Sequence, residues 1–264
     1  MSSKPGPRGR PKRSCRASGP RCALIVIVLW SGALAGGVAA AVQRPSTKLR
    51  VLFIGNSLTY ANDLPAMIRA LAESTAHKQL EYQTVALPDY GLEQHWRQGD
   101  ARRSIAKGRW DVVVLQQGPS ASAEGRAALL KYTRLFSEEI KRAGARPALY
   151  MVWPPQGRLK DFDRSSESHV LAARENGAML LPVGDAWRAA WRRDPNLALY
   201  STDAFHPSPA GSYLAALVVY EQLFGHPARP GLDTGALSKI NLTPQQAETL
   251  QAAATEANAK SAVR

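Results

Sequence analysis

The chain has 264 residues, 45% hydrophobic and 21% charged, which suits one sizeable α/β domain and excludes a low-complexity or collagen-like protein. A net charge of +13 invites a nucleic-acid partner, but its distribution argues against one: seven basic residues and no acid fall within residues 1–42. Taking these from the total of 34 leaves 27 basic against 21 acidic residues over 43–264, a mildly basic domain whose densest pairs, Arg102–Arg103 and Arg192–Arg193, read as solvated helix faces.

Residues 1–22 read as a basic cytoplasmic n-region. Ala23–Val42 carries no charge, and at about 1.5 Å per residue it covers about 30 Å, the depth of a bilayer core. The basic flank stays in the cytoplasm, so the rest of the chain is expected to be exported, periplasmic or extracellular. Ala39-Ala40-Ala41 offers a small-residue cleavage site, so 23–42 reads as a cleaved signal peptide or as a retained inner-membrane anchor. Cys15 and Cys22 lie in or before this segment. The exported part then has no disulfide, no thiolate metal site and no cysteine nucleophile.

Residues 43–48 read as a linker, 49–240 as the main domain and 241–264 as a peripheral C-terminal helix and tail. In chain order, Leu49–Ile54 is an apolar strand ending in Gly55-Asn56. Asn62-Asp63 cap a helix that has Pro65 in its first turn and runs to about His77. Leu80–Leu87 is a strand, Pro88–Gly91 a turn and Leu92–Lys107 helical. Asp111–Gln116 is a buried strand by its continuous apolar character, and Ser122–Ala143 an amphipathic helix ended by Gly144. Ala148–Val152 is a strand broken by Trp153-Pro154-Pro155, with Asp163–Asn176 helical after it. Met179–Val183 is the last strand, followed by helices at Asp185–Arg193, Pro209–Phe224 and about Pro244–Lys260. Alternating strands and helices predict a doubly wound parallel sheet of about five strands, with ligands at the carboxyl ends of the strands.

Two segments at such ends carry chemistry. In Gly55-Asn56-Ser57-Leu58-Thr59 the glycine permits a sharp turn, and Ser57 lands between strand and helix with its hydroxyl at the top of the sheet. In Asp203-Ala204-Phe205-His206-Pro207-Ser208-Pro209, Pro207 holds His206 out of helical geometry, while Ser208 and Pro209 open the next helix. Asp203 is close enough to hydrogen-bond the His206 ring. A carboxylate that fixes the tautomer of a histidine, which draws a proton from a serine, is triad logic.

Gly-Asn-Ser-Leu after the first strand and Asp-x-x-His-Pro-Ser before a late helix resemble the first and last sequence blocks of SGNH/GDSL hydrolases, over roughly residues 49–225. That resemblance implies a three-layer α/β/α, flavodoxin-like fold and metal-free ester hydrolysis without a cofactor. In it Ser57 matches the nucleophile, Asp203 the orienting acid and His206 the base. For the oxyanion donors it implies a backbone N–H at Gly91, or at Asp89 in the other register, and an amide. The family's Gly-x-Asn-Asp is here Gln116-Gln117-Gly118-Pro119-Ser120, similar to the Gln-Gly-x-Ser variant of carbohydrate O-acetylesterases. Gln117 is the expected donor, with Gln116 in reserve and Ser120 beside it.

The expected substrate is a small-molecule or polysaccharide ester, with the membrane a partner only if residues 23–42 are retained. An acyltransferase using the same triad differs only in its acceptor, and a non-catalytic envelope binding protein is the non-enzyme alternative. Asp111, Asp203 and His206 as ligands of a metal phosphoesterase would lack the paired groupings such enzymes use. His77 reads as surface, and His95 with Trp96 as packing behind the active-site turn. Trp153-Pro154-Pro155 reads as pocket wall or packing equally, and Trp187 with Trp191 as core.

Overall fold

In the computed structural model, which describes residues 48–76, 78–228 and 240–262, the apolar runs form five parallel strands. They are β1 (Lys48–Gly55), β2 (Gln79–Ala86), β3 (Val112–Gln116), β4 (Arg146–Tyr150) and β5 (Met179–Leu181). Their spatial order is β2-β1-β3-β4-β5, the flavodoxin-like order, with its switch point between β1 and β3. The basic n-region and Ala23–Val42 lie outside the described residues. Among the described residues no helix is long and apolar enough to cross a membrane.

Both faces of the sheet are covered at its centre, which is why β1, β3 and β4 read as largely continuous apolar runs, whereas the edge strand β2 leaves Gln79, Glu81, Gln83 and Thr84 exposed. Alternation along β1 sends Val51 and Phe53 to one face and Leu52 and Ile54 to the other. Against the first face pack α2 (Leu64–Ala76), α7 (Val183–Arg193), α8 (Pro209–Phe224) and α9 (Pro244–Ser261). Against the second pack α3 (Leu92–Gln98), α4 (Asp100–Lys107), α5 (Ala123–Arg142) and the end of α6 (Phe162–Glu175). The result is the expected α/β/α sandwich.

Some local expectations give way to backbone geometry. The helix expected over 92–107 breaks at Gly99, whose φ of 87° ends α3 and starts α4. Asn62 and Asp63 do not cap α2. Both have left-handed φ, 52° and 53°, in a turn that joins α2 to the short α1 (Ser57–Tyr60). The C-terminal helix expected at the periphery buries Leu250, Ala253, Ala254 and Ala257 in the larger core. Arg192 and Arg193 lie on an exposed face, as expected, and from it hold Glu256 of α9 at 2.7 and 2.5 Å.

Candidate active site

β1 delivers the chain to Gly55 at the switch point. A side chain there would run into Thr59 Oγ1 and Gln116 Oε1, so only glycine fits this close approach. Asn56 caps α1 by accepting from Leu58 N at 3.1 Å, and its Nδ2 donates to Tyr90 O at 3.0 Å. Beneath the turn, fully buried Gln116 accepts from Asn56 N and from Thr59 Oγ1, both at 2.8 Å. His95, 1% exposed, meets Gly55 O through Nε2 at 2.7 Å, and burial lowers its pKa, so the neutral ring donates there. Ser57 therefore opens α1 on a turn pinned from three sides. Its N–H occupies a first-turn position, where helix N–H groups lack intrahelical partners.

The second half of the site comes from the loop between α7 and α8. Tyr200 and Pro207 form an antiparallel bridge, Ser201 N donates to His206 O at 2.8 Å and Ser208 N to Leu199 O at 2.8 Å. Trp153 Nε1 donates to Phe205 O at 3.0 Å and Tyr200 OH to Pro154 O at 2.5 Å. Trp153 is fully buried and stacks on Trp187 at 3.8 Å, so it anchors the histidine loop and does not line a pocket. At the tip, Asp203 Oδ1 accepts from Phe205 N, His206 N and Ser201 Oγ at 2.9, 2.9 and 2.7 Å. These bonds, the Phe205 N–H foremost, hold the carboxyl well below the usual range, and the His206 ring adds to them.

Across 149 residues of sequence, the two halves meet. His206 Nε2 lies 2.8 Å from Ser57 Oγ, and His206 Nδ1 lies 2.5 Å from Asp203 Oδ2. A carboxylate at Nδ1 selects the tautomer that leaves the Nε2 lone pair facing the serine. Asn62, which sequence reasoning assigned to a helix cap, stitches the halves together: its Nδ2 donates to Pro207 O and to Ser212 Oγ, each at 2.9 Å. An Asn-Asp pair before Leu-Pro looks like capping. Only the tertiary fold shows that the amide reaches the residue after His206.

The amide residues after β3 are close by but already engaged. Gln117 Oε1 accepts from Leu92 N at 3.2 Å, while its Nε2 donates to Ser120 Oγ at 3.0 Å and Gly125 O at 3.3 Å. Ser120, at φ 56°, donates to Gly118 O at 2.9 Å. The Gly91 N–H donates to Gln94 Oε1 at 3.0 Å in the capping box of α3. Asp89 is left-handed at φ 58°. Asp111 stands away from the triad and accepts from Arg50 N at 2.7 Å. Among the described residues no group of three or more His, Cys, Asp or Glu side chains could hold a metal ion. Cavities of about 590 and 650 Å³ flank β2, lined by residues such as Tyr82 and Trp110, or Thr84 and Arg103, with no triad member. The triad is open to water instead, with the His206 and Asp203 side chains 37% and 50% exposed.

No family model matches the chain, nor does any curated protein. Among solved structures, a protein of Slackia heliotrinireducens assigned to the SGNH hydrolases is 31% identical, with a TM-score of 0.57 over 67% of this chain and 99% of that one. A DUF4886 family protein from Bacteroides uniformis is 17% identical, with a TM-score of 0.67 over 80% of this chain and 94% of that one. An acetyl xylan esterase from Geobacillus stearothermophilus is 14% identical, with a TM-score of 0.55 over 69% and 97%. The last two share the fold.

Proposed function

The chain belongs to the SGNH/GDSL hydrolase family, serine hydrolases that act on ester bonds, and we propose that it cleaves short-acyl carboxylic esters through Ser57, His206 and Asp203. The observation that carries this reading is the unbroken contact from Ser57 Oγ to His206 Nε2 and from His206 Nδ1 to Asp203.

His206 takes the Ser57 proton as Oγ attacks the carbonyl carbon, and Asp203 stabilises the imidazolium that forms. The tetrahedral oxyanion is held first by the Ser57 N–H. His206 then protonates the departing alcohol, leaving an acyl-serine that water hydrolyses by the same steps. Beneath the nucleophile Leu58, Thr59, His95 and Gln116 are at most 1% exposed, so the acyl group is not taken up directly below Ser57. Among proteins of this fold, two described as acetyl xylan esterases suit a carbohydrate O-acetyl substrate. Export, through the basic flank and the apolar Ala23–Val42, belongs to the same proposal and would bring the enzyme to envelope or extracellular polysaccharide.

The test is hydrolysis of an aryl acetate by the purified chain, with Ser57→Ala as control. Turnover that disappears in the variant supports the reading. Absence of turnover, or turnover untouched by the substitution, would reject it.

A further inference from the structure

The parallel strands all begin at one end of the sheet and deliver the triad to the other. The beginning end carries six exposed cations. Lys78 precedes β2, Lys107 and Arg109 precede β3, Arg142 and Arg146 flank the turn into β4, and Arg174 lies near the end of α6. Among the described residues none of the six is in an ion pair, whereas most cations elsewhere hold a carboxylate, as Arg134 holds Glu138 and Arg188 holds Asp163. Of the acids nearby, Glu81 is held by Lys48 and Arg50, Glu139 by Arg102, and Asp111 accepts from the Arg50 N–H. That leaves Glu73 and Glu175 to face the six.

Helix dipoles account for part of this pattern, since Lys107, Arg142 and Arg174 stand in the last turns of α4, α5 and α6. Arg109 and Arg146 belong to no helix end. Lys78 lies over the Phe224 ring, its ammonium 5.7 Å from the centroid. Half-buried aromatic side chains are interleaved with the charge. A hollow of about 380 Å³ is lined by Lys78, Arg146 and Phe224, and one of about 590 Å³ by Arg109 and Trp110.

We propose that this end of the domain lies on the surface of an anionic phospholipid bilayer. Cations within a Debye length, about 8 Å at physiological salt, are drawn to such a surface, and aromatic side chains suit its headgroup level. Nucleic acid would meet the same charge, but the course of the chain favours the membrane. Lys48 opens β1 at this end and follows Val42, the last residue of the uncharged apolar stretch, by six residues, at most about 20 Å of chain. The proposal rests on the export reading with that stretch retained, and on no part of the ester chemistry. Its consequence is orientation: the eight residues of β1, at about 3.3 Å each, hold the triad about 26 Å from the headgroups and facing away from them.

The experiment places the full chain in nanodiscs of phosphatidylcholine, alone or mixed with phosphatidylglycerol, and follows acetylation of each lysine by mass spectrometry. Co-elution with the discs tests the apolar stretch, and lysine protection tests the basic end. With phosphatidylglycerol, Lys78 and Lys107 should react roughly fivefold more slowly than in phosphatidylcholine alone. Lys131, midway along α5, and Lys160, whose 3₁₀ segment is tied to Ala204 near the triad, should keep their rates. About 1 M salt, or Arg109→Glu with Arg146→Glu, should abolish the difference. Equal rates in the two lipids, or no co-elution with either disc, would overturn the proposal. So would slowing of all four lysines by the same factor, which would mean adsorption without orientation. Duplex DNA that protects Lys78 and Lys107 where the anionic discs do not would assign this end to nucleic acid and overturn it as well.

Discussion

At the scale of single residues, the relation between Ser57 and His206 depends on side chains that never touch a substrate. Asn62 holds Pro207 O and Ser212 Oγ from the nucleophile side, and its left-handed backbone makes that reach. Asn62→Asp keeps size and backbone preference but sets an acceptor against a carbonyl. We expect kcat on an aryl acetate to fall about tenfold to 10²-fold, with KM little changed, since misplacing reacting groups by an ångström costs about that much. Steady-state kinetics on the folded variant check it, and an unchanged kcat would remove Asn62 from the positioning of the triad. Asp203 behaves differently. Its folded pKa is depressed, so its stabilising bonds are fully present above about pH 3.9 and are lost only as pH falls further, leaving the loop tip intact under ordinary assay conditions. Ser57, Asp203 and His206 were legible in sequence because each sits within a short motif whose turn chemistry is local. Asn62 was not, because its partners lie 145 and 150 residues away.

At the scale of elements, Gln117 ties three pieces together: the end of β3, the first turn of α3 through Leu92 N, and the start of α5 through Gly125 O. Sequence reasoning assigned its amide to the oxyanion, and the bonds it makes suit a brace. Gln117→Ala should lower unfolding stability by about 1–3 kcal/mol, the cost of leaving buried partners unpaired, while lowering kcat by less than about tenfold. Chemical denaturation beside kinetics separates the roles. A loss of about 10²–10³ in kcat at unchanged stability would instead assign the amide to the oxyanion.

Helix α6 contributes an acid-sensitive element through His169, whose ring is buried, with Nδ1 at 2.8 Å from Ser165 O. Burial lowers its pKa to about 4, opposed by that carbonyl and by Asp185. A base with a depressed folded pKa favours the folded state above its unfolded value, near 6.5, and loses that contribution as pH falls towards 4. Between pH 7 and 5 the loss should be about 2 kcal/mol, and His169→Phe should flatten it. Equal slopes in the two proteins would refute this.

At the scale of the whole molecule, the alternation of apolar strands and helices was enough to read a doubly wound sheet, because a strand buried on both faces leaves a continuous apolar signature. The break at Gly99 and the placing of α9 were harder to read. A glycine inside a helical pattern does not announce a left-handed φ, and an alanine-rich face gives little periodic contrast. Leu250, fully buried in α9, tests whether that helix belongs to the core. Leu250→Ala should cost about 2–5 kcal/mol by chemical denaturation, and a cost within about 0.5 kcal/mol would make α9 an appendage. The central claim is that Ser57, activated by His206, is the nucleophile, and fluorophosphonate labelling followed by peptide mass mapping tests it most directly. One adduct is expected, on the peptide containing Ser57, absent in Ser57→Ala and formed roughly 10²-fold more slowly in His206→Ala. An adduct on another serine, or equal labelling of Ser57→Ala, would contradict it.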